Sequence, residues 1–267
     1  MTSPSSDPGR WSDLATRVAS GVVMVVVGFG ALWIGGVVFY VFVALLCAAM
    51  VWELVRMLAP EKHQTAFQLG GLAGVAVLLS VFLPIWFVLP ILLAPALVGF
   101  SQMPQNRALF MVFATVVLLA GFGLISVRDD LGLVWMLWLV LVVVITDISG
   151  YFAGRMIGGP KFWPRFSPKK TWSGTAAGWV GAGVIGLVFA QITGAGVGLI
   201  AISVAVSFAS QMGDIAESAI KRKVGIKDSS NLIPGHGGLL DRFDGMLGAA
   251  VFLLVFGQFI GFPPVLG

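Results

Sequence analysis

Runs of apolar residues as long as a bilayer is thick recur along nearly the whole chain, and no other feature restricts its fold as much. A helix needs about 20 predominantly apolar residues to cross the hydrocarbon layer. Nine such spans can be drawn, at about 18–35, 37–55, 67–83, 84–100, 108–127, 131–151, 174–192, 197–216 and 245–262. With 58% hydrophobic and 10% charged residues, and a mean hydropathy of +0.99, the chain has too little polar surface for a soluble globule. The expected fold is therefore all-α: a polytopic integral membrane helical bundle of about nine transmembrane helices, forming one membrane-embedded domain over 1–267. Residues 1–17, polar and rich in Ser and Pro, read as a tail leading into the first helix rather than as a removed signal peptide. Pro84, Pro90 and Pro95 leave the 67–100 region open to a kinked hairpin, a re-entrant segment or other boundaries.

Nine crossings sort the cations sharply. Of the 16 Lys and Arg, all but Arg128 fall on the amino-terminal side. By the positive-inside rule that side is the cytoplasm, which implies a multi-pass protein of the plasma (inner) membrane with its amino terminus inside. The single cysteine, Cys47, excludes an internal disulfide and any multi-cysteine metal cluster. The glycines lie within the spans rather than in linkers, and with no preceding strand they suit helix packing rather than nucleotide binding. Nothing points to nucleic acid.

Charge is scarce, so where it gathers is informative. The stretch 218–244, SAIKRKVGIKDSSNLIPGHGGLLDRFD, concentrates cations, acids and glycines between two apolar spans. A second polar loop, 147–174, emerges on the same side, so the two can build one site. In that loop Asp147 and Tyr151 share a helical face. Glycines and prolines at 158, 159, 160, 164 and 168 forbid a continuous helix, and Ser167, Lys169, Lys170 and Thr171 supply donors for phosphate oxygens. Contact of a basic loop with anionic headgroups is the simpler alternative.

Asp214 falls inside the end of the eighth span, where an ionised carboxylate is costly unless offset. Glu217 and Lys221, four apart, read as a pair on the helix surface. Asp241 and Asp244, three apart, share a face if the ninth helix begins near Leu240. With Asp214 they would suit Mg²⁺, which takes oxygen ligands and keeps water and substrate phosphates in its shell; complementing the helix dipole is the simpler role. The turn 234–238, PGHGG, is expected to open backbone N–H groups toward phosphate, and His236 is expected either to hydrogen-bond or to act in proton transfer. Carboxylates and cations so arranged point to phosphoryl or nucleotidyl transfer, and a site at the membrane surface suggests a lipid substrate.

These residues carry a specific resemblance. Ser218, Lys221, Arg222, Lys227, Asp228, His236, Gly237, Gly238, Asp241, Arg242 and Asp244 stand in the order and spacing of the carboxyl-terminal signature of the phosphatidate cytidylyltransferase (CDP-diacylglycerol synthase) family. Gly213–Asp214 matches the Gly-Asp ahead of that signature, and Ser167–Gly174 resembles a second motif, with Ser173 where the family usually has Glu. The first 140 or so residues resemble the family only in apolar character.

The resemblance implies transfer of a cytidylyl group from CTP to phosphatidate, giving CDP-diacylglycerol and pyrophosphate in phospholipid biosynthesis. It implies Asp214, Asp241 and Asp244 as ligands of Mg²⁺, alone or with a second cation. Lys170, Lys221, Arg222, Lys227 and Arg242 would contact the CTP or lipid phosphates, and Asp228 would orient Lys227 or bind ribose. It also implies a homodimer. A CTP-dependent lipid kinase and, from another class, a transporter are the competing readings.

Overall fold

The computed structural model describes residues 8–264. Among the described residues, nine α-helices account for the apolar spans: α1 (Pro8–Ile34), α2 (Gly36–Leu58), α3 (His63–Phe82), α4 (Ile85–Gln102), α5 (Arg107–Ser126), α6 (Leu133–Met156), α7 (Trp172–Thr193), α8 (Gly198–Lys223) and α9 (Leu240–Phe256). Among the described residues, eight helices are long and apolar enough to cross a membrane, and α9 is shorter at 17 residues. The protein is an all-α polytopic membrane protein, as its hydropathy requires. Helices dominate because every backbone N–H and C=O in a lipid environment must find its partner within the chain.

Two boundaries depart from expectation, and one region left open takes the form of the two spans drawn for it. The first seven residues of the tail at 1–17 lie outside the described residues, but α1 begins at Pro8, so the rest of the tail is helical. The proline-rich region forms two separate helices, with Pro84 as the N-cap of α4 and Pro90 and Pro95 inside it. The 147–174 region combines the end of α6 with an antiparallel hairpin of β1 (Lys161–Trp163) and β2 (Ser167–Thr171), registered Lys161 to Thr171 and Trp163 to Ser167. Gly158 and Gly159, at φ 65° and 100°, take the chain out of α6 and into this hairpin.

Helices α2–α5 pack as successive neighbours, as do α6–α9, and α9 joins the two groups by packing on both α5 and α2. The core runs through this junction, with Leu54, Phe110, Leu118, Trp138 and Leu139 fully buried. Helix α1 rests on α2 and leaves Val22, Val25, Val26 and Phe29 exposed.

Polar side chains fasten the carboxyl-terminal group. The Trp138 indole N–H donates to Ser203 Oγ at 3.0 Å, Thr146 Oγ1 donates to Ser207 Oγ at 2.8 Å, and Trp179 Nε1 donates to Gln211 Oε1 at 3.0 Å. Between membrane helices, where lipid offers no competing partner, such bonds are worth about 0.6–2 kcal/mol each. At the opposite end of the bundle Arg128 donates to the carbonyls of Leu32 (2.9 Å) and Trp33 (3.4 Å), capping the carboxyl end of α1.

Candidate active site

The site is built where α6, the hairpin, α8 and α9 meet. Helix α6 presents Asp147 and, one turn on, Tyr151; the hairpin brings Ser167, Lys169, Lys170 and Thr171; α8 brings Gln211 and Asp214. All of these line one cavity of about 520 Å³. The 147–174 region and the end of α8 therefore share one space, whereas none of the residues lining it comes from 218–244; that stretch approaches it through Ser218, bonded to Asp214, and through Asp244.

Lys170 and Asp214 pair across the cavity. Lys170 Nζ lies 2.7 Å from Asp214 Oδ2 and 3.3 Å from the Gln211 carbonyl, and Ser218 Oγ donates to Asp214 Oδ1 at 3.4 Å. Thr171 also shapes the backbone, because its Oγ1 accepts from Gly174 N at 3.2 Å and so caps α7. Ser173, where the resembling motif usually has Glu, donates to the Gly158 carbonyl at 2.5 Å and braces the end of the hairpin.

Asp244 reaches the same region through backbone packing. A Cβ on Gly213 would lie 2.2 Å from the Asp244 carbonyl oxygen, and one on Gly248 would lie 2.2 Å from the Ala209 carbonyl. Only glycine at these crossings lets α8 and α9 approach so closely. The carboxylates of Asp147, Asp214 and Asp244 consequently lie within electrostatic reach of one another. Asp147 is thus a site acid that motif spacing did not single out. Its place near the end of an apolar span, on one helical face with Tyr151, is the signal the sequence offered for it.

Asp241 is differently employed. Its Oδ1 accepts from Lys221 Nζ at 2.8 Å, and its Oδ2 accepts from Ser229 N at 2.9 Å, Ser229 Oγ at 3.0 Å and Gly238 N at 2.9 Å. It stands in the first turn of α9, ahead of the apolar run. Burial alone would raise its pKa, but hydrogen bonds with the Glu217 and Lys221 side chains and the N–H groups of Gly238 and Ser229 outweigh this and bring it down to about 2. Lys221 is spent as well, ion-paired to both Asp241 and Glu217. Glu217 is not on the helix surface as expected: it is 2% exposed, because α8 turns that face toward α9 and the loop.

The glycine-rich turn also differs from expectation. Ile233 and Gly237 form a bridge, His236 N donates to the Ile233 carbonyl at 2.9 Å, and Gly238 N is bonded to Asp241. At least two of its N–H groups therefore close the turn and the neighbouring first turn of α9 instead of facing a ligand. His236 faces α1, with Nδ1 2.9 Å from Ser20 Oγ, and its carbonyl accepts from Arg242 Nε (2.9 Å) and one terminal nitrogen (2.6 Å). Lys227 and Asp228 are exposed on the loop. Arg222, with Arg165 and Lys223, rims a second cavity of about 670 Å³ walled by Leu109, Phe113 and Phe166.

A hard, oxygen-seeking cation fits part of this arrangement. Among the described residues no group of three or more His, Cys, Asp or Glu is placed to hold a metal by itself. Asp214 and Asp244 supply carboxylate oxygens within electrostatic reach of each other, the donor type Mg²⁺ takes when substrate oxygens and water complete its shell, although Lys170 and Ser218 bond to Asp214 here. The oxygens of Asp241 are already taken by donors.

Comparison with known proteins gives the family. The chain is 37% identical over 271 residues to the phosphatidate cytidylyltransferase of Brucella abortus (strain 9-941), covering 96% of this chain and 97% of the relative. It is 31% identical over 263 residues to that of Bacillus subtilis, covering 90% and 96%. With that of Helicobacter pylori (strain 26695) it shares 41% identity over 134 residues, 49% of the chain. The family profile described as "Cytidylyltransferase family" matches residues 15–260, and the chain belongs to that family.

Proposed function

We propose that the protein transfers a cytidylyl group from CTP to phosphatidate at the cytoplasmic border of the inner membrane, with Mg²⁺ assisting. The observation that carries this reading is the pairing of Lys170 with Asp214 in a cavity that Asp147 and the hairpin donors share. A phosphate oxygen of phosphatidate attacks the α-phosphorus of CTP, a new P–O bond forms, and the bond to the β-phosphate breaks to release pyrophosphate. Because the attacking phosphate is already anionic, no strong base is needed. The work lies in positioning two polyanions and offsetting their repulsion.

Lys169 and Lys170 face the space where a triphosphate would sit, and Ser167 adds a hydroxyl donor. Asp214 and Asp244 would hold Mg²⁺, which supplies charge neutralisation on the reacting phosphates. The second cavity, apolar on its wall and cationic at its rim, suits an anionic lipid whose chains stay in the bilayer. Fifteen cations on the side of the α2–α3, α4–α5, α6–α7 and α8–α9 connections and the amino terminus support a cytoplasmic site.

Purified protein supplied with CTP, Mg²⁺ and phosphatidate is expected to release pyrophosphate and to form a lipid heavier by one CMP. Turnover that survives omission of phosphatidate, or a lipid product gaining a single phosphate, would overturn the reading.

A further inference from the structure

Glu53 is an acid for which the reaction has no direct use. It stands near the end of α2, between residues of the deepest core, and is 0% exposed, as are Val51, Leu54 and Val55. Among the described residues no cation is paired with it. A buried carboxylate in that position is tolerated only if hydrogen-bond donors replace the water it has lost.

All of those donors come from the α8–α9 connection and the first residue of α9. Oε1 accepts from Ser230 Oγ at 2.6 Å and Leu239 N at 2.9 Å. Oε2 accepts from Leu240 N at 2.7 Å, with Ser229 Oγ 3.4 Å away. Leu239 is the N-cap of α9 and has no capping side chain, so the orphan N–H groups at this helix start are satisfied by a residue from a distant helix. The positive end of the α9 dipole and the Glu53 charge also favour each other.

This clamp is one step from the site. The Ser229 hydroxyl lies 3.4 Å from Glu53 Oε2 and gives its one proton to the nearer Asp241 Oδ2 at 3.0 Å, and Asp241 in turn holds Lys221. Gly238 lies between them: a Cβ there would stand 1.9 Å from Ser229 Oγ and 2.6 Å from Glu53 Oε1. The connection at 224–239 has little regular structure of its own beyond the Ile233–Gly237 bridge. Its course depends on such anchors, and the rotation and height of the first turn of α9 decide where Asp244 meets Asp214.

We propose that Glu53 is a positioning residue of the transferase, capping α9 from α2 and holding the signature loop in the register that sets Asp244 against Asp214. The proposal rests on the cytidylyltransferase reading above. It predicts a loss of turnover that is separable from loss of folding.

The test compares Glu53→Gln, Glu53→Asp and the wild type as purified full-length chains, by steady-state kinetics, thermal unfolding and amide hydrogen exchange. Glu53→Gln is expected to lower kcat about 10- to 100-fold, the cost of misplacing reacting groups by a fraction of an ångström to an ångström, with KM for CTP changed less than about threefold. Exchange is expected to accelerate at 229–241 and not in α3, α5 or α6. Glu53→Asp, which keeps the charge, should recover part of kcat.

Wild-type kcat and loop protection in Glu53→Gln would overturn the proposal, as would a uniform loss of protection that tracks the loss of activity. Should Glu53→Gln not accumulate folded, Ser230→Ala removes one donor at a partly exposed position. It is expected to deprotect the same segment and lower kcat about three- to tenfold; unchanged protection and kcat there would be equally fatal. An inactive wild type would defeat the cytidylyltransferase reading instead, while the exchange pattern would still judge whether Glu53 holds the loop.

Discussion

Lys170 Nζ lies 2.7 Å from Asp214 Oδ2, joining the end of the hairpin to the middle of the carboxyl-terminal half of α8 across 44 residues of sequence. The side chain of Lys170 is 16% exposed and that of Asp214 39%. The pair therefore sits at the wall of the cavity, where either partner can be drawn to an incoming anion or cation without unfolding anything around it.

Removing that cation should disable the enzyme without unfolding it. Lys170→Met is expected to reduce kcat/KM for CTP by about 100-fold, the scale of losing one charged contact to a reacting phosphate. The thermal midpoint should fall by no more than a few degrees, since a partly exposed pair contributes little to stability. Pyrophosphate release and a melting curve on the same preparation check both.

Asp244→Asn keeps the shape of the side chain and removes its charge. Mg²⁺-dependent incorporation of labelled CTP into lipid is expected to fall to background with the protein still folded. Near-normal turnover would remove Asp244 from the metal assignment.

The crossing of α8 and α9 tests whether site geometry is set by backbone contact. Gly213→Ala puts a methyl 2.2 Å from the Asp244 carbonyl, and backbone cannot yield as a side chain can. Overpacking of this kind costs about 1–3 kcal/mol, and the displaced Asp244 should lower kcat as well. Gly196→Ala, whose Cβ would meet nothing within 4 Å, is the control, and thermal unfolding separates the two.

Asp241 gives an acid limb. Its folded pKa, lowered to about 2, lies below the value near 3.9 expected for an unfolded chain. Its contribution is therefore complete above about pH 4 and is lost as pH falls toward 2, amounting to about 2 kcal/mol before allowance for partial exposure. Asp241→Asn should lower stability at pH 6 and flatten the decline between pH 4 and 2, as read from unfolding midpoints across that range.

Much of the fold was legible in one dimension because the bilayer imposes a length. Each of the nine apolar spans corresponds to a helix, and the single outlying cation, Arg128, is held by the carbonyls at the end of α1. The site was legible in part. Asp214, Lys170, Lys169 and Ser167 line one cavity, whereas Lys221, Asp241 and Arg242, which look equally free in the signature, are engaged within the loop and helix start. Glu53 gave little sign of its partners, since a lone acid three residues before Arg56 reads as the polar end of a helix.

The sequence by itself therefore determined how many helices the chain makes, the side on which its charge gathers and the chemistry those charges suit. Those properties follow from local composition, motif spacing and the thickness of the membrane. Only the tertiary structure decided which charged groups face the cavity and which hold the architecture. That division depends on donors and carbonyls brought from distant helices, as when Gly213 admits the Asp244 backbone and Glu53 accepts the first N–H groups of α9. Spacing along a chain records neighbours within one helix, but not the partner that another helix will supply.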